Sequence, residues 1–529
     1  MMANYDVTII GAGFSGLTLA YQLLQTVGPI NIALINDETF PVHDAAHKVG
    51  ESLNEVGGLY LSYILKLHDY MEDNHFKKMG MRFFRENNGS FFEMGPTAFP
   101  PNDSFHFQRG KFENDLHSML KEKVTFFNNH KFVDFSDETT HKNILFIDKE
   151  GNEKKLTTQW LIDASGMKKV LSKKFDITRK LPISHSSVWV RFAGFVNVSD
   201  IYLDDGKTPF SHAERERSSI HVEGLGYWIW ILPLSENTTS LGIVFDEKMY
   251  SFDDFSSQEK MMSWLEKNES LLGSYLRKKN FDVLDFKILR KFATLSDYAT
   301  SKNRWALTGD AYGFWDPYYS GGFDVIAFQN TMLTQNIKSD LKGMNINRKI
   351  HNNNILISSL MELMEHMFDG MYTLKNDWYY LTVKYCIDSV TYFGSFCSIM
   401  RNMDFSDDNL VENVISLVRE IISIYSDIAA FLKSDAFNNL TYEAPSHLLL
   451  HPTLFSTTNM NINSPNGDKN KLINALKKHI NIMKFQYYYL LKGHDYIELL
   501  HSSIYDRISS DTDIASYADN PLSLLQEKG

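Results

Sequence analysis

The sequence predicts an α/β fold: a Rossmann-like first domain, a mixed β-sheet inserted into it, and a mostly helical C-terminal region. Three observations predict it. A strand–glycine turn–helix–strand run opens the chain, strand-like stretches recur at about 81–110 and 180–250, and amphipathic helical patterns dominate from about residue 350. The pattern divides the 529 residues into 1–345, which carries the inserted sheet, and 346–529.

The opening run comes first. Residues 5–10 (YDVTII) read as a buried strand rather than a signal peptide, since no basic leader precedes them. GAGFSG follows at 11–16, then the helical pattern LTLAYQLLQTV, then a second strand at 30–35 (INIALI). This is the context that the GxGxxG dinucleotide fingerprint requires. Gly11 permits the tight turn, Gly13 lets backbone approach a pyrophosphate beside Phe14 and Ser15, and Gly16 lets the helix pack on the sheet. The ribose ligand is expected at the end of the second strand, where Asn36 stands at the usual acidic position and Asp37 follows it.

Further strands are expected within 124–163 and 185–245, the latter including GYWIWILPL, and a helical stretch at 257–280. Trp228 and Trp230 alternate with Ile229 and Ile231, so both indoles face one side of a strand, which Pro233 is expected to terminate or to edge. Residues 304–340 read strand, acidic turn, loop, helix. A polar stretch at 456–470 reads as an exposed loop.

Composition narrows the function classes. A net charge of −12 disfavours nucleic-acid binding. Only Cys386 and Cys397 are present, too few for a disulfide scaffold or a four-cysteine zinc site; no metal site is expected, and a reducing, cytoplasmic setting is. No run of about 18 apolar residues appears, so no membrane span is expected. Aromatic residues make up 13% of the chain, which suits a large aromatic core or a pocket for flat ligands. A homo-oligomer is compatible with the sequence.

Two later segments choose the dinucleotide. LIDASG at 161–166 carries Asp163 and Gly166, and LTGDAYGFWDP at 307–317 carries Asp310 between a strand and a helix, where it can bind a ribityl hydroxyl. Each Asp could equally be a helix cap. Taken with GAGFSG in this order, they resemble the FAD-dependent monooxygenase superfamily of the hydroxybenzoate-hydroxylase type. QRGKFENDL at 108–116 fits that resemblance, its Arg109 matching the family's basic residue near the flavin.

Four more segments resemble flavin-dependent halogenases. HKVGESL at 47–53 is similar to a flavin-lining (K/R)xGES segment, WIWILP at 228–233 to WxWxIP, FKKMGMRFF at 76–84 to KxGxxF, and WDPYYSGGFDV at 315–325 to DPxxSxG. The resemblance covers roughly residues 5–335. It implies cofactor contacts from Lys48, Gly50, Glu51, Ser52, Pro317, Gly321 and Gly322. It implies halide binding at Ser320, Gly321 and Gly322, whose backbone N–H groups can hold an anion. Gly321 replaces a usual Ser or Thr, which is expected to widen the site. Trp228 and Trp230 would form a barrier between flavin and substrate. Lys78 matches the catalytic lysine, with Lys77 the adjacent alternative.

The implied chemistry runs from reduced FAD and O2 through a C4a-hydroperoxide to hypohalous acid, which Lys78 delivers to an electron-rich aromatic ring. Reduced flavin would come from a separate NAD(P)H-dependent flavin reductase. In halogenases of free tryptophan a glutamate lies just before this loop; Tyr319 occupies the matching position, so the resemblance points to phenol-type substrates. The base that deprotonates such a phenol is not identifiable from sequence. The rival readings are a single-component FAD hydroxylase, another FAD-dependent oxidoreductase such as an isoprenoid-chain reductase, and a non-catalytic FAD-binding scaffold.

Overall fold

A computed structural model describes residues 3–43, 48, 50–87, 90–96, 103–202, 213–373, 378–440, 447–450, 468–500 and 504–514. His47 and Val49 of the HKVGESL segment and most of the polar stretch at 456–470 lie outside the described residues.

The glycine unit forms as its pattern dictates. Strand Ala3–Ile10 enters a turn at Gly11, helix Phe14–Thr26 follows, and strand Ile32–Asn36 returns in parallel register, Val7 opposite Ile32. Gly11 has φ +101, and a Cβ there would lie 2.5 Å from the Ala164 carbonyl oxygen. Gly16 lies so close to the Gly11 carbonyl that a Cβ would overlap it. Strand Glu153–Asp163 lies on the other side of the first strand, also parallel, and brings Asp163 level with Ile10. Trp305–Leu307 and Thr125–Asn128 extend the parallel sheet at either side, and the hairpin Lys131–Asp137/Lys142–Ile147 joins it antiparallel. This is the Rossmann-like layer the sequence predicts.

The inserted sheet has eight strands, in the order Asp282–Leu289, His185–Ala193, Thr238–Asp246, Tyr227–Ser235, Ser219–Gly224, Met81–Asn87, Ser90–Pro96, His447–Leu450. Two members escape the sequence reading. Asp282–Leu289 follows the helices Gln258–Asn268 and Ser270–Lys279, and His447–Leu450 comes from the C-terminal region to pair in parallel with Ser90–Pro96. Phe105–His106, expected with this sheet, pairs instead with Phe76–Lys77.

Alternation along Tyr227–Ser235 splits its residues between two cores. Trp228, Trp230 and Leu232 pack with the Rossmann-like layer and the C-terminal helices, while Tyr227, Ile229 and Ile231 pack against the two helices of 258–279. Pro233 does not end this strand. The neighbouring strand's pairing stops at Ile231, so the missing N–H at 233 breaks no ladder bond on that side, and the register shifts between Pro233 and Ser235.

The C-terminal region is helical as expected, led by Asn347–Phe368, Trp378–Thr391, Asp408–Leu432 and Lys469–Leu491. Cys386 and Cys397 are free, buried thiols. No helix among the described residues is long and apolar enough to cross a membrane.

Candidate active site

One cavity of about 460 Å³ runs from the end of strand Ile32–Asn36, past the glycine turn, to the tryptophan pair. Eighteen of the residues singled out in the sequence line it: Gly11, Gly13, Phe14, Ser15, Asn36, Asp37, Lys48, Gly50, Glu51, Ser52, Arg109, Gly166, Trp228, Trp230, Asp310, Pro317, Ser320 and Gly322. Gly16, Asp163, Gly321 and Lys78 do not.

Each exception has a local reason. Gly16 serves the helix–turn contact described above. The Asp163 carboxylate accepts the backbone N–H groups of Ser165 (2.9 Å) and Leu171 (2.6 Å), so it braces the turn rather than reaching into the cavity. Gly321 is covered by the Met364 side chain, whose methyl would collide with a Cβ there. The expected widening at 321 is thus filled from helix Asn347–Phe368.

At the ribose end, Asn36 Oδ1 accepts from the Ala12 N–H at 3.3 Å and its amide donates to the Glu38 carbonyl. Asp37 pairs with Lys168, which also lines the cavity. Glu113 was missed by the sequence reading and is central to the next stretch. Its buried carboxylate accepts from the Phe14 N–H at 3.2 Å, from Arg109 at 2.9 Å and from Lys48 at 2.6 Å. It therefore occupies one N–H of the helix N-terminus while gathering two cations beside it. Lys48 in the motif and Glu at 113, four residues after Arg109, were the available signals.

Glu51 is equally a tie-point. Arg191 Nε donates to it at 2.6 Å, while the same guanidinium binds Asp285 and the Lys48 carbonyl. Burial raises the Glu51 pKa, and Arg191 opposes that rise. Asp310 is likewise pushed up by burial, against the charges of Lys169 and Arg109.

The loop before helix Gly322–Leu341 is held from several sides. Asp316 Oδ2 takes the Tyr372 hydroxyl at 2.7 Å and His185 Nδ1 at 2.8 Å. The same Tyr372 oxygen accepts from Trp228 Nε1 at 2.7 Å, which couples this loop to the tryptophan strand. Ser320 sits at φ +52. No described side chain caps the helix at Gly321, so N–H groups of its first turn remain available to an anion.

Lys78 and Lys77 part company. Lys77 points outward, paired with Glu72 at 2.8 Å and Asp103 at 3.6 Å. Lys78 is 3% exposed and donates to Asn54 Oδ1 (2.8 Å), Ser52 Oγ (3.2 Å) and the Leu53 carbonyl (3.4 Å). Ser52 lines the cavity, so Lys78 stands one hydroxyl behind its wall. Burial lowers the Lys78 pKa to about 8, while the charges of Glu55 and Asp324 raise it. Asp324 is itself pushed up to about 8 by burial, and its Oδ1 accepts from the Gly57 N–H at 3.0 Å. Glu55, immediately after the GESLN run, was not singled out from the sequence. Tyr319 presents its hydroxyl to Asp388 at 2.6 Å, and its carbonyl accepts from the Asn54 amide.

With this geometry in view, comparison with known proteins is decisive. The sequence model described as tryptophan halogenase matches residues 44–377. The chain belongs to the flavin-dependent tryptophan halogenase family. It is an FADH2-dependent halogenase, an oxidoreductase that uses FAD, a halide and O2. It is 28% identical over 426 residues to the flavin-dependent halogenase chlA of Dictyostelium discoideum, covering 74% of this chain and 70% of that protein. It is 24% identical over 352 residues to a 1H-pyrrole-2-carbonyl-[peptidyl-carrier protein] chlorinase of Pseudomonas fluorescens, covering 61% and 73%. Its fold is similar to the crystal structure of halogenase PltM, with a TM-score of 0.67 at 15% identity over 91% of this chain and 96% of that one.

The cavity of this halogenase suits FAD. Gly13 is extended, at φ −80 and ψ −172, so its backbone does not require glycine. A Cβ there would meet only Glu113 Oε1, at 3.8 Å, and Gly13 lines the cavity, so it leaves room where a pyrophosphate would be held.

Proposed function

We propose that this halogenase acts on a phenol-type aromatic, with Lys78 as the residue that carries the halogen to the ring. The observation that carries this is the burial of Lys78 beside the cavity, with three oxygen acceptors fixing its ammonium. When bound, reduced FAD and O2 supply the oxidising equivalents that turn halide into hypohalous acid. Asn36 would hold the adenosine ribose, Arg109 and Lys48 would face the pyrophosphate, and Asp310 the ribityl chain. Phe14, Ser15, Gly50, Glu51, Ser52, Gly166 and Pro317 would complete the wall around the cofactor. The halide would sit on the N–H groups of Gly321 and Gly322 at the start of helix Gly322–Leu341; the Ser320 N–H, expected with them, is committed to the Pro317 carbonyl at 2.8 Å.

Lys78 would turn the N–H that makes its long, 3.4 Å bond to the Leu53 carbonyl onto hypohalous acid, making the halogen more electrophilic. Trp228 and Trp230 would keep the substrate ring away from the flavin. Their indole N–H groups are committed to Tyr372 at 2.7 Å and Ser240 at 3.2 Å, which fixes both planes.

The phenolic assignment rests on Tyr319. Where tryptophan halogenases resemble this loop, a carboxylate stands at its position. Here the carboxylate behind it, Asp388, is held by Tyr319, Lys384 and Tyr425 and does not replace it. A ring that must be activated without that group is an electron-rich one. A similar solved structure, halogenase PltM with phloroglucinol and FAD, supports the same class at the level of fold. The reduced flavin would come from a separate NAD(P)H-dependent reductase.

The test is competition between a phenol panel, pyrroles and free tryptophan under identical FADH2 and halide supply, read by mass spectrometry. Preferential halogenation of phenols is expected. Preference for tryptophan would overturn the substrate assignment.

A further inference from the structure

Two serines and a histidine stand in line behind Lys78. Lys78 Nζ lies 3.2 Å from Ser52 Oγ, which lies 3.1 Å from Ser219 Oγ. Ser219 Oγ lies 2.8 Å from His106 Nε2, and His106 Nδ1 lies 3.1 Å from the Pro233 carbonyl oxygen. All four side chains are buried. They come from four separate segments: the GES run, strand Phe105–His106, strand Ser219–Gly224 and the segment that carries Lys78.

The direction of every bond follows from donor chemistry. A carbonyl only accepts, so His106 Nδ1 carries the proton. Burial, and then the charge of Lys78, hold the His106 pKa well below its ordinary value, so the ring is neutral and Nε2 is a bare acceptor. Ser219 must then donate to His106. It accepts from Ser52, and Ser52 accepts from the Lys78 ammonium, which can only donate. Turning the two hydroxyls around would aim an O–H at the ammonium and leave Nε2 without a donor.

We propose that His106 is a positioning residue for Lys78: through Ser219 and Ser52 it fixes a hydroxyl oxygen as acceptor for the ammonium and so sustains the charged form of the lysine at the cavity wall. This rests on the reading of Lys78 as the catalytic lysine. The other charged groups that act on Lys78 are Glu55, from helix Glu55–Leu59, and Asp324, from helix Gly322–Leu341. Both favour the ammonium, but neither determines which way the Ser52 hydroxyl points. Lys78 is in turn the charged group that acts on His106.

The experiment uses the full-length protein and four variants: His106→Leu, His106→Gln, Ser219→Ala and Lys78→Ala. The Lys78 titration is followed without flavin by NMR of 13Cε-labelled lysine, the signal being assigned by its loss in Lys78→Ala. The pH profile of kcat is measured in parallel. In the wild type the titration is expected at about pH 8, below the ordinary lysine value. In His106→Leu and Ser219→Ala it moves down by about half a unit or more, since an acceptor of the charged form is lost. The basic limb of kcat moves with it, while KM stays unchanged. His106→Gln, whose amide oxygen can accept from Ser219, restores the wild-type midpoint. An unchanged midpoint in Ser219→Ala, or in a folded His106→Leu, would overturn the relay. So would a glutamine variant that shifts as far as leucine. Full halogenation by Lys78→Ala would instead refute the catalytic reading, and the titration would still judge the relay.

Discussion

Gly13 and Gly16 stand three residues apart and are glycine for different reasons. Gly16 faces protein, and a methyl there overlaps the Gly11 carbonyl. Gly13 faces the cavity. Gly16→Ala is therefore expected to cost stability, about 1–3 kcal/mol, through the shift it forces on the turn. Gly13→Ala should unfold at the wild-type denaturant midpoint and yet bind FAD at least about tenfold more weakly. Equal loss of stability in both variants would remove the distinction. The same scale shows what a motif conceals. The GES run suggested flavin contacts; besides lining the cavity, its glutamate is gripped by Arg191, and its serine, with Asn54 just beyond it, holds Lys78. Glu55, His106 and Ser219 escaped sequence reading because nothing in their local spacing marks them. They act on partners far along the chain, as Ser219 does on Ser52, 167 residues away.

Among the elements, strand Tyr227–Ser235 does most to position the site. Its alternation was legible because strand periodicity is local: the two indoles face the cavity and the two isoleucines face the other core. The Tyr372 hydroxyl, which joins Trp228 to Asp316, was not legible, since it comes from the C-terminal region, 144 residues beyond Trp228. Removing it leaves a buried indole N–H without its acceptor. Tyr372→Phe should thus lower the unfolding free energy by about 1–3 kcal/mol, read from the denaturant midpoint. It should also raise release of hydrogen peroxide per halogenated product, because the tryptophan barrier and the loop before helix Gly322–Leu341 are no longer tied together. A variant with wild-type stability and coupling would show that this bond holds neither.

At the scale of the whole molecule, the Rossmann-like layer, the inserted sheet and the helical C-terminal region follow from hydrophobic period and glycine placement. The partition of the chain does not follow so simply. Strand His447–Leu450 completes the inserted sheet, and Met364 and Tyr372 reach from the C-terminal region onto Gly321 and Trp228. A boundary near 345 therefore marks a change of pattern, while the site draws on both sides of it. In the proposed function, this assembly joins halide oxidation at the flavin to ring halogenation through Lys78. The most direct measurement supplies reduced FAD from a flavin reductase and NADH to the wild type and to Lys78→Ala, with a phenol, O2 and each halide in turn, and weighs the product. A halide-dependent halogenated phenol is expected from the wild type, and at least about a hundredfold less from a Lys78→Ala protein that still binds FAD. Gain of a single oxygen without halide, or undiminished halogenation by Lys78→Ala, would contradict it.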